Sequence, residues 1–206
     1  SFRSRSTTTL RRMEYTALEK LLPRLDWACR YNLSMRRYRH VERVVRQAEQ
    51  LAALYGVDSL KVRVAATAHD IAREFPPHRL VGLADTFDVP AGDPLRERPV
   101  LLHGPVAAGI LSSEYDVDDR SILDAVYHHT LGSPDLDEVG KVLYVADYTE
   151  PGRSYVTQEE RKELVTERLD RSVAAVIQHA ERRFGELNDR TRGFLAAVSS
   201  KTGARG

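Results

Sequence analysis

His69-Asp70 closes a segment, Asp58 to Arg73, made largely of alanine and valine. An imidazole and a carboxylate side by side in apolar surroundings are costly unless something compensates them. A divalent cation is one compensation, because both groups can ligate it. Buried His–Asp hydrogen bonds are common, so the pair says little by itself. Four further residues share its setting: His40 in Arg37-Tyr-Arg-His, His103 in Leu101-Leu-His-Gly-Pro105, His129 in Tyr127-His-His-Thr130, and Asp147 in Leu143-Tyr-Val-Ala-Asp. Four imidazoles and two carboxylates exceed the needs of one metal. They match two metals about 3.5–4 Å apart, bridged by a carboxylate and by water or hydroxide. Such donors suit iron, manganese, zinc or nickel better than calcium.

Each residue also has a plainer reading. A lone histidine on an apolar helix face is usually a satisfied core residue; the metal reading rests on the joint order of the six. Asp147 could pair with a nearby arginine or tyrosine, but Leu143, Val145 and Ala146 around it make ligation the better account. His78, in a proline-rich stretch, reads as solvent-facing or part of a lid, and His179 as structural. Cys29 reads as a small apolar filler.

The elements that must position these residues are helical almost throughout. One helix runs from Glu14 to Tyr31, interrupted near Pro23; a second from Arg37 to Tyr55, stopped by Gly56 as a left-handed cap. Asp58 caps the third. Prolines 76, 77, 90, 94 and 99 break the next stretch, leaving one short helix around His78 to Phe87. Helical patterns resume over Val100–Tyr115, Asp118–Thr130, Asp137–Thr149, Thr157–Phe184 and Glu186–Val198. Every candidate ligand is therefore supplied by a helix, mostly near an end. The expectation is a single all-α domain over 13–198 with a metal site in its core, a disordered leader at 1–12 and a flexible tail at 199–206.

The chain has 206 residues, 42% hydrophobic and 30% charged, with a net charge of +1. That balance argues against a nucleic-acid binder driven by bulk charge. No apolar run reaches the roughly 18 residues of a membrane span. One cysteine fits a reducing, cytoplasmic setting. A monomer or homodimer is expected.

The order His, His-Asp, His, His, Asp resembles the HD-domain metal-dependent phosphohydrolases. The words Ala-His-Asp-Ile-Ala, Leu-His-Gly-Pro-Val-Ala, His-His-Thr-Leu-Gly and Tyr-Val-Ala-Asp-Tyr-Thr-Glu-Pro-Gly-Arg153 narrow this. They are similar to the YqeK branch, the bacterial symmetrical diadenosine tetraphosphate hydrolases, over about Leu33 to Arg190. The resemblance implies that His40, His69, Asp70 and Asp147 hold one metal, and that Asp70 bridges to a second held by His103 and His129. Iron is the first expectation for both. It gives catalytic roles to Asp70, His103 and Arg153, and implies cleavage to two ADP by water activated between the metals. Arg153 and Arg73 are the candidates for gripping phosphate, with Lys141 a weaker one.

This chain departs from the pattern in three places. His128 stands where relatives usually have tyrosine and is left out of the ligand set. Arg73 stands for the usual lysine and Ser133 for the usual arginine. The second change removes a cation, which keeps two alternatives open. One is an HD phosphohydrolase acting on a mono- or triphosphate or an alarmone. The other is a metal-loaded nucleotide sensor with little turnover.

Overall fold

A computed structural model describes residues 7–203, and among these no strand occurs. Ten helices follow in order: α1 Thr7–Asn32, α2 Met35–Tyr55, α3 Ser59–Ala68, α4 Pro77–Thr86, α5 His103–Tyr115, α6 Arg120–His128, α7 Glu138–Thr149, α8 Gln158–Leu164, α9 Leu169–Phe184 and α10 Asp189–Gly203. Two 3₁₀ turns, Pro94–Glu97 and Pro99–Leu102, lead into α5. The all-α expectation holds.

The centre is α3. Val62, Val64, Ala65, Ala66 and Ala68 are wholly buried, and the helix packs against α1, α2, α6 and α7. A helix whose second half is almost wholly buried, with only its first turns carrying the exposed Ser59 and Arg63, has to be an interior one. Its small side chains let four neighbours approach, and its end delivers His69 and Asp70 to the middle of the bundle. Local signals set the limits. Asp58 accepts from the N–H groups of Leu60 and Lys61, both at 3.1 Å. Asp119 caps α6 and Asp137 caps α7 in the same way. Gly56, at φ 68°, ends α2.

Several helix limits differ from the sequence reading. Helix α1 runs through Pro23 without a break. Pro23 is exposed while Leu21 and Leu25 pack inward, so the carbonyl that loses its donor faces water. The expected helix from Thr157 to Phe184 is two, parted at residues 165–168. There the Thr166 N–H donates to Ser172 Oγ at 2.8 Å, and Tyr55 donates its hydroxyl to the Thr166 carbonyl at 2.9 Å. Hydroxyls have taken over backbone groups that a helix would pair internally. At the ends, α1 begins at Thr7, within the stretch expected as leader, and α10 extends to Gly203, into the expected tail. Residues 1–6 and 204–206 lie outside the described residues. Among the described residues no helix is long and apolar enough to cross a membrane.

Cys29 lies wholly buried, its Sγ donating to the Thr67 carbonyl at 3.1 Å. Burial, with the nearby charges of Asp26 and Asp70, pushes the thiol up to about 12. A raised thiol pKa leaves stability unchanged below the unfolded value near 9 and erodes it as pH climbs towards 12. Iodoacetamide at pH 8.5 should therefore leave the folded protein unmodified for hours and label it within minutes in denaturant. Rapid labelling of the native protein would contradict this burial.

Candidate metal centre

The six residues singled out in the sequence meet at one place. His40 comes from the second turn of α2, His69 caps the end of α3, and Asp70 follows it. His103 opens α5, His129 caps α6, and Asp147 lies in the last turn of α7. His40, His69, Asp70, His103 and His129 are buried, and the Asp147 side chain is 19% exposed.

Asp70 sits between two sets of imidazoles. Its Oδ2 lies 3.6 Å from His40 Nε2 and 3.6 Å from His69 Nε2. Its Oδ1 lies 3.2 Å from His103 Nε2 and 3.8 Å from His129 Nε2. Asp147 Oδ1 joins the first set, 3.1 Å from His40 Nε2 and 4.0 Å from His69 Nε2. One carboxylate thus turns a different oxygen to each half of the cluster.

The outer nitrogens explain the aim of the rings. His69, His103 and His129 each direct Nδ1 to the carbonyl three residues upstream: Ala66 at 2.7 Å, Val100 at 2.5 Å and Val126 at 2.7 Å. A carbonyl only accepts, so the proton belongs on Nδ1 and the Nε2 lone pair points inward. His40 differs, directing Nδ1 to Glu150 Oε1 at 3.0 Å. Such partners fix tautomer and ring orientation in metal-ligating histidines.

The donor set fits a cation. His103 and His129 face each other Nε2 to Nε2 at 3.0 Å. Burial, with His103 and His69 beside it, holds His129 down at about 3, so its ring is neutral in ordinary buffers. With its proton on Nδ1, His129 turns its Nε2 lone pair towards His103. His69 Nε2 is buried without a hydrogen-bond partner, and burial foremost depresses its basicity. Burial opposes ionisation of Asp70, yet His69, His103 and His129 hold it well below the usual carboxylate range. Asp147 is likewise held down against its burial, by Arg153 and then His40. Two geometric groups, His40–His69–Asp147 and His69–Asp70–His129, bring their ligand atoms within 4.8 Å of one another.

The other expected residues are placed as follows. Arg153 donates Nη2 to Asp147 Oδ1 and Nε to the Asp147 carbonyl at 2.9 Å. Arg73 is half-buried in the turn after Asp70, its backbone N–H on the Asp70 carbonyl at 2.8 Å. Lys141, the weaker phosphate candidate, is buried with Nζ on Asp170 at 2.6 Å, and ties α7 to α9. Ser133 is buried in a turn, its Oγ accepting from the Asp135 N–H at 3.3 Å. His128 packs its ring on Tyr127, away from the cluster. His78 is exposed, and His179 is held by Tyr148 Oη at 2.8 Å and Glu160 at 3.3 Å.

Two contributors escaped the sequence reading. Arg37 Nη1 reaches Asp70 Oδ2 at 3.1 Å; its spacing of three from His40 put it on the same helix face. Glu150, 1% exposed, holds His40 and accepts from Arg43 Nε at 2.6 Å. Its signal was a carboxylate directly before Pro151, where a helix must end. A hollow of about 270 Å³ opens onto His40, lined by Arg36, Arg37, Arg43, Arg153 and Tyr155. Its cationic walls suit a polyanion.

Residues 37–152 match the family model described as HD domain. A Bacillus subtilis protein named symmetrical bis(5'-nucleosyl)-tetraphosphatase is 35% identical over 153 residues, covering 74% of this chain and 82% of the relative. A Staphylococcus aureus protein of the same name is 34% identical over 122 residues, 59% of this chain and 62% of the relative. The crystal structure of a Clostridium acetobutylicum protein, described as a "predicted HD superfamily hydrolase involved in NAD metabolism", superposes with a TM-score of 0.78 at 26% identity, covering 87% of this chain and 97% of that one. With its ordered histidines and aspartates gathered at the heart of a helical bundle, the chain belongs to the HD domain family.

Proposed function

We propose that this protein hydrolyses diadenosine tetraphosphate and related dinucleoside polyphosphates symmetrically, releasing two ADP from the adenosine substrate. The observation that carries the reading is Asp70, one oxygen towards His103 and His129 and the other towards His40 and His69. The names of the Bacillus and Staphylococcus relatives supply the substrate class.

In this reading His40, His69, Asp70 and Asp147 hold one divalent cation, and Asp70, His103 and His129 a second. Iron is the first candidate, with manganese, zinc and nickel the other metals for mixed imidazole and carboxylate donors. When bound, such a pair lowers the pKa of water towards neutrality and offsets charge on phosphoryl oxygens. The protein supplies the rest. Three backbone carbonyls and Glu150 hold the rings in register. Arg37 and Arg153 border both the carboxylates and the cationic hollow, where guanidinium forks meet phosphate oxygens in pairs. Arg73, beside Asp70 along the chain, adds a third cation. Burial keeps bulk water from screening these charges. The reaction belongs in the cytoplasm, a compartment compatible with the lone thiol of Cys29.

Purified protein, analysed for metal content and incubated with diadenosine tetraphosphate, should give ADP as the sole nucleotide product. A chelator should abolish turnover and the returned metal restore it. AMP with ATP would overturn symmetrical cleavage. Metal-loaded protein that binds the nucleotide without turning it over would overturn the enzymatic reading.

A further inference from the structure

His40 is the one cluster histidine whose outer nitrogen meets a side chain instead of the main chain. The reason is its position. It lies in the second turn of α2, where the carbonyls upstream are committed to the helix ladder, so its Nδ1 turns outward to another element. Glu150 meets it from the end of α7, held at that spot by Pro151 and by the Gly152 N–H, which donates to Glu150 Oε2 at 2.5 Å. Arg43, one turn along α2 from His40, clasps the same carboxylate through Nε at 2.6 Å and Nη2 at 3.3 Å. Burial works against ionisation of Glu150, but the hydrogen bonds from His40, Arg43 and Gly152 outweigh it and hold the group at about 2. Arg43 can lie there only because residue 152 lacks a side chain: a Cβ would stand 2.3 Å from Arg43 Nε and 2.4 Å from Cζ and Nη2.

We infer that Glu150 is a positioning residue that aims His40 Nε2 into the metal centre, and that Arg43, seated over Gly152, anchors Glu150 from the rim of the cationic hollow. The inference rests on the metal reading above. Glu150 acts through His40, and the relay Arg43–Glu150–His40 joins the substrate-facing wall to the first cation.

The test is metal affinity, read by competition with a chromophoric chelator using Co²⁺ as the probe, alongside the visible absorption of bound cobalt. Glu150→Gln keeps shape and removes charge; it should weaken binding by about 10- to 100-fold, the usual cost of losing such a partner, and alter the cobalt spectrum. Combined with His40→Ala it should add less than about threefold to the loss of His40→Ala alone, since coupled residues are not additive. Gly152→Ala, on the exposed turn, displaces Arg43 without touching Glu150 or His40, and should weaken binding in the same direction by about 3- to 10-fold, with the melting temperature nearly unchanged. Affinity unchanged in Gly152→Ala removes Arg43 from the relay. Unchanged affinity in Glu150→Gln, or full additivity with His40→Ala, overturns the role of Glu150 while leaving the metal reading intact. Wild-type protein that takes up no divalent cation overturns both. Should Glu150→Gln fail to fold, Glu150→Asp, which keeps the charge but draws it back from His40 Nδ1, decides the role of Glu150 through the same readouts: unchanged affinity overturns it.

Discussion

Asp70→Asn should strip the purified protein of at least one metal equivalent and cut turnover by about a thousand-fold, roughly 4 kcal/mol of barrier. The substitution is isosteric, so the helices keep their packing and far-UV circular dichroism stays near that of the wild type. The chemistry changes completely. An amide has one acceptor oxygen and an NH₂ that donates, whereas both Asp70 oxygens face imidazole nitrogens at 3.2 to 3.8 Å. Arg37, 17% exposed and paired with Asp70 Oδ2, also loses its counter-charge but can turn to solvent. Elemental analysis and steady-state turnover of diadenosine tetraphosphate check this. A variant with full metal and activity within tenfold of the wild type would dismiss the site.

Gly104→Ala should cost about a hundredfold in activity and about 1–3 kcal/mol in stability. Gly104 follows His103 in α5 and faces the end of α6. A Cβ there would lie 2.7 Å from the Tyr127 carbonyl oxygen, 3.1 Å from that of Val126 and 3.4 Å from His129 Cε1. Two of these neighbours are backbone, which cannot rotate aside, so α5 and α6 must separate. The separation falls on His103 and His129, whose Nε2 atoms stand 3.0 Å apart. Thermal melts and kinetics should move together. Wild-type kinetics with an unchanged melting temperature would mean that this contact does not set the spacing of the two histidines.

What the sequence makes legible here follows from where the physics is local. The alanine-rich run before His69 marks an interior helix, Asp58 marks its start and Gly56 the end of the helix before it, and the six candidate ligands need only be few, polar and set in apolar surroundings to stand out. Continuous helix through Pro23 depends on which side of α1 faces water, and the break before Leu169 depends on Tyr55 arriving from α2 to meet Thr166 and Ser172. Glu150 escaped because its value comes from a partner 110 positions away. Lys141 reads as a phosphate cation in a string of residues and as an ion-pair strut once Asp170 is placed beside it. Pairings between distant residues leave no periodicity, so they surface only when the helices are assembled.

The six residues at the heart of the bundle are spread from position 40 to position 147, and five different helices bring them together. A fragment that stops short of Asp147 or starts after His40 therefore lacks part of the ligand set, and a half-assembled molecule has little to offer an ion. Loading becomes a checkpoint on completed assembly. An ion at a thousand times its dissociation constant adds about 4 kcal/mol to the native state, so starving a cell of that ion would leave newly made copies easier prey for proteases, quite apart from any loss of catalysis.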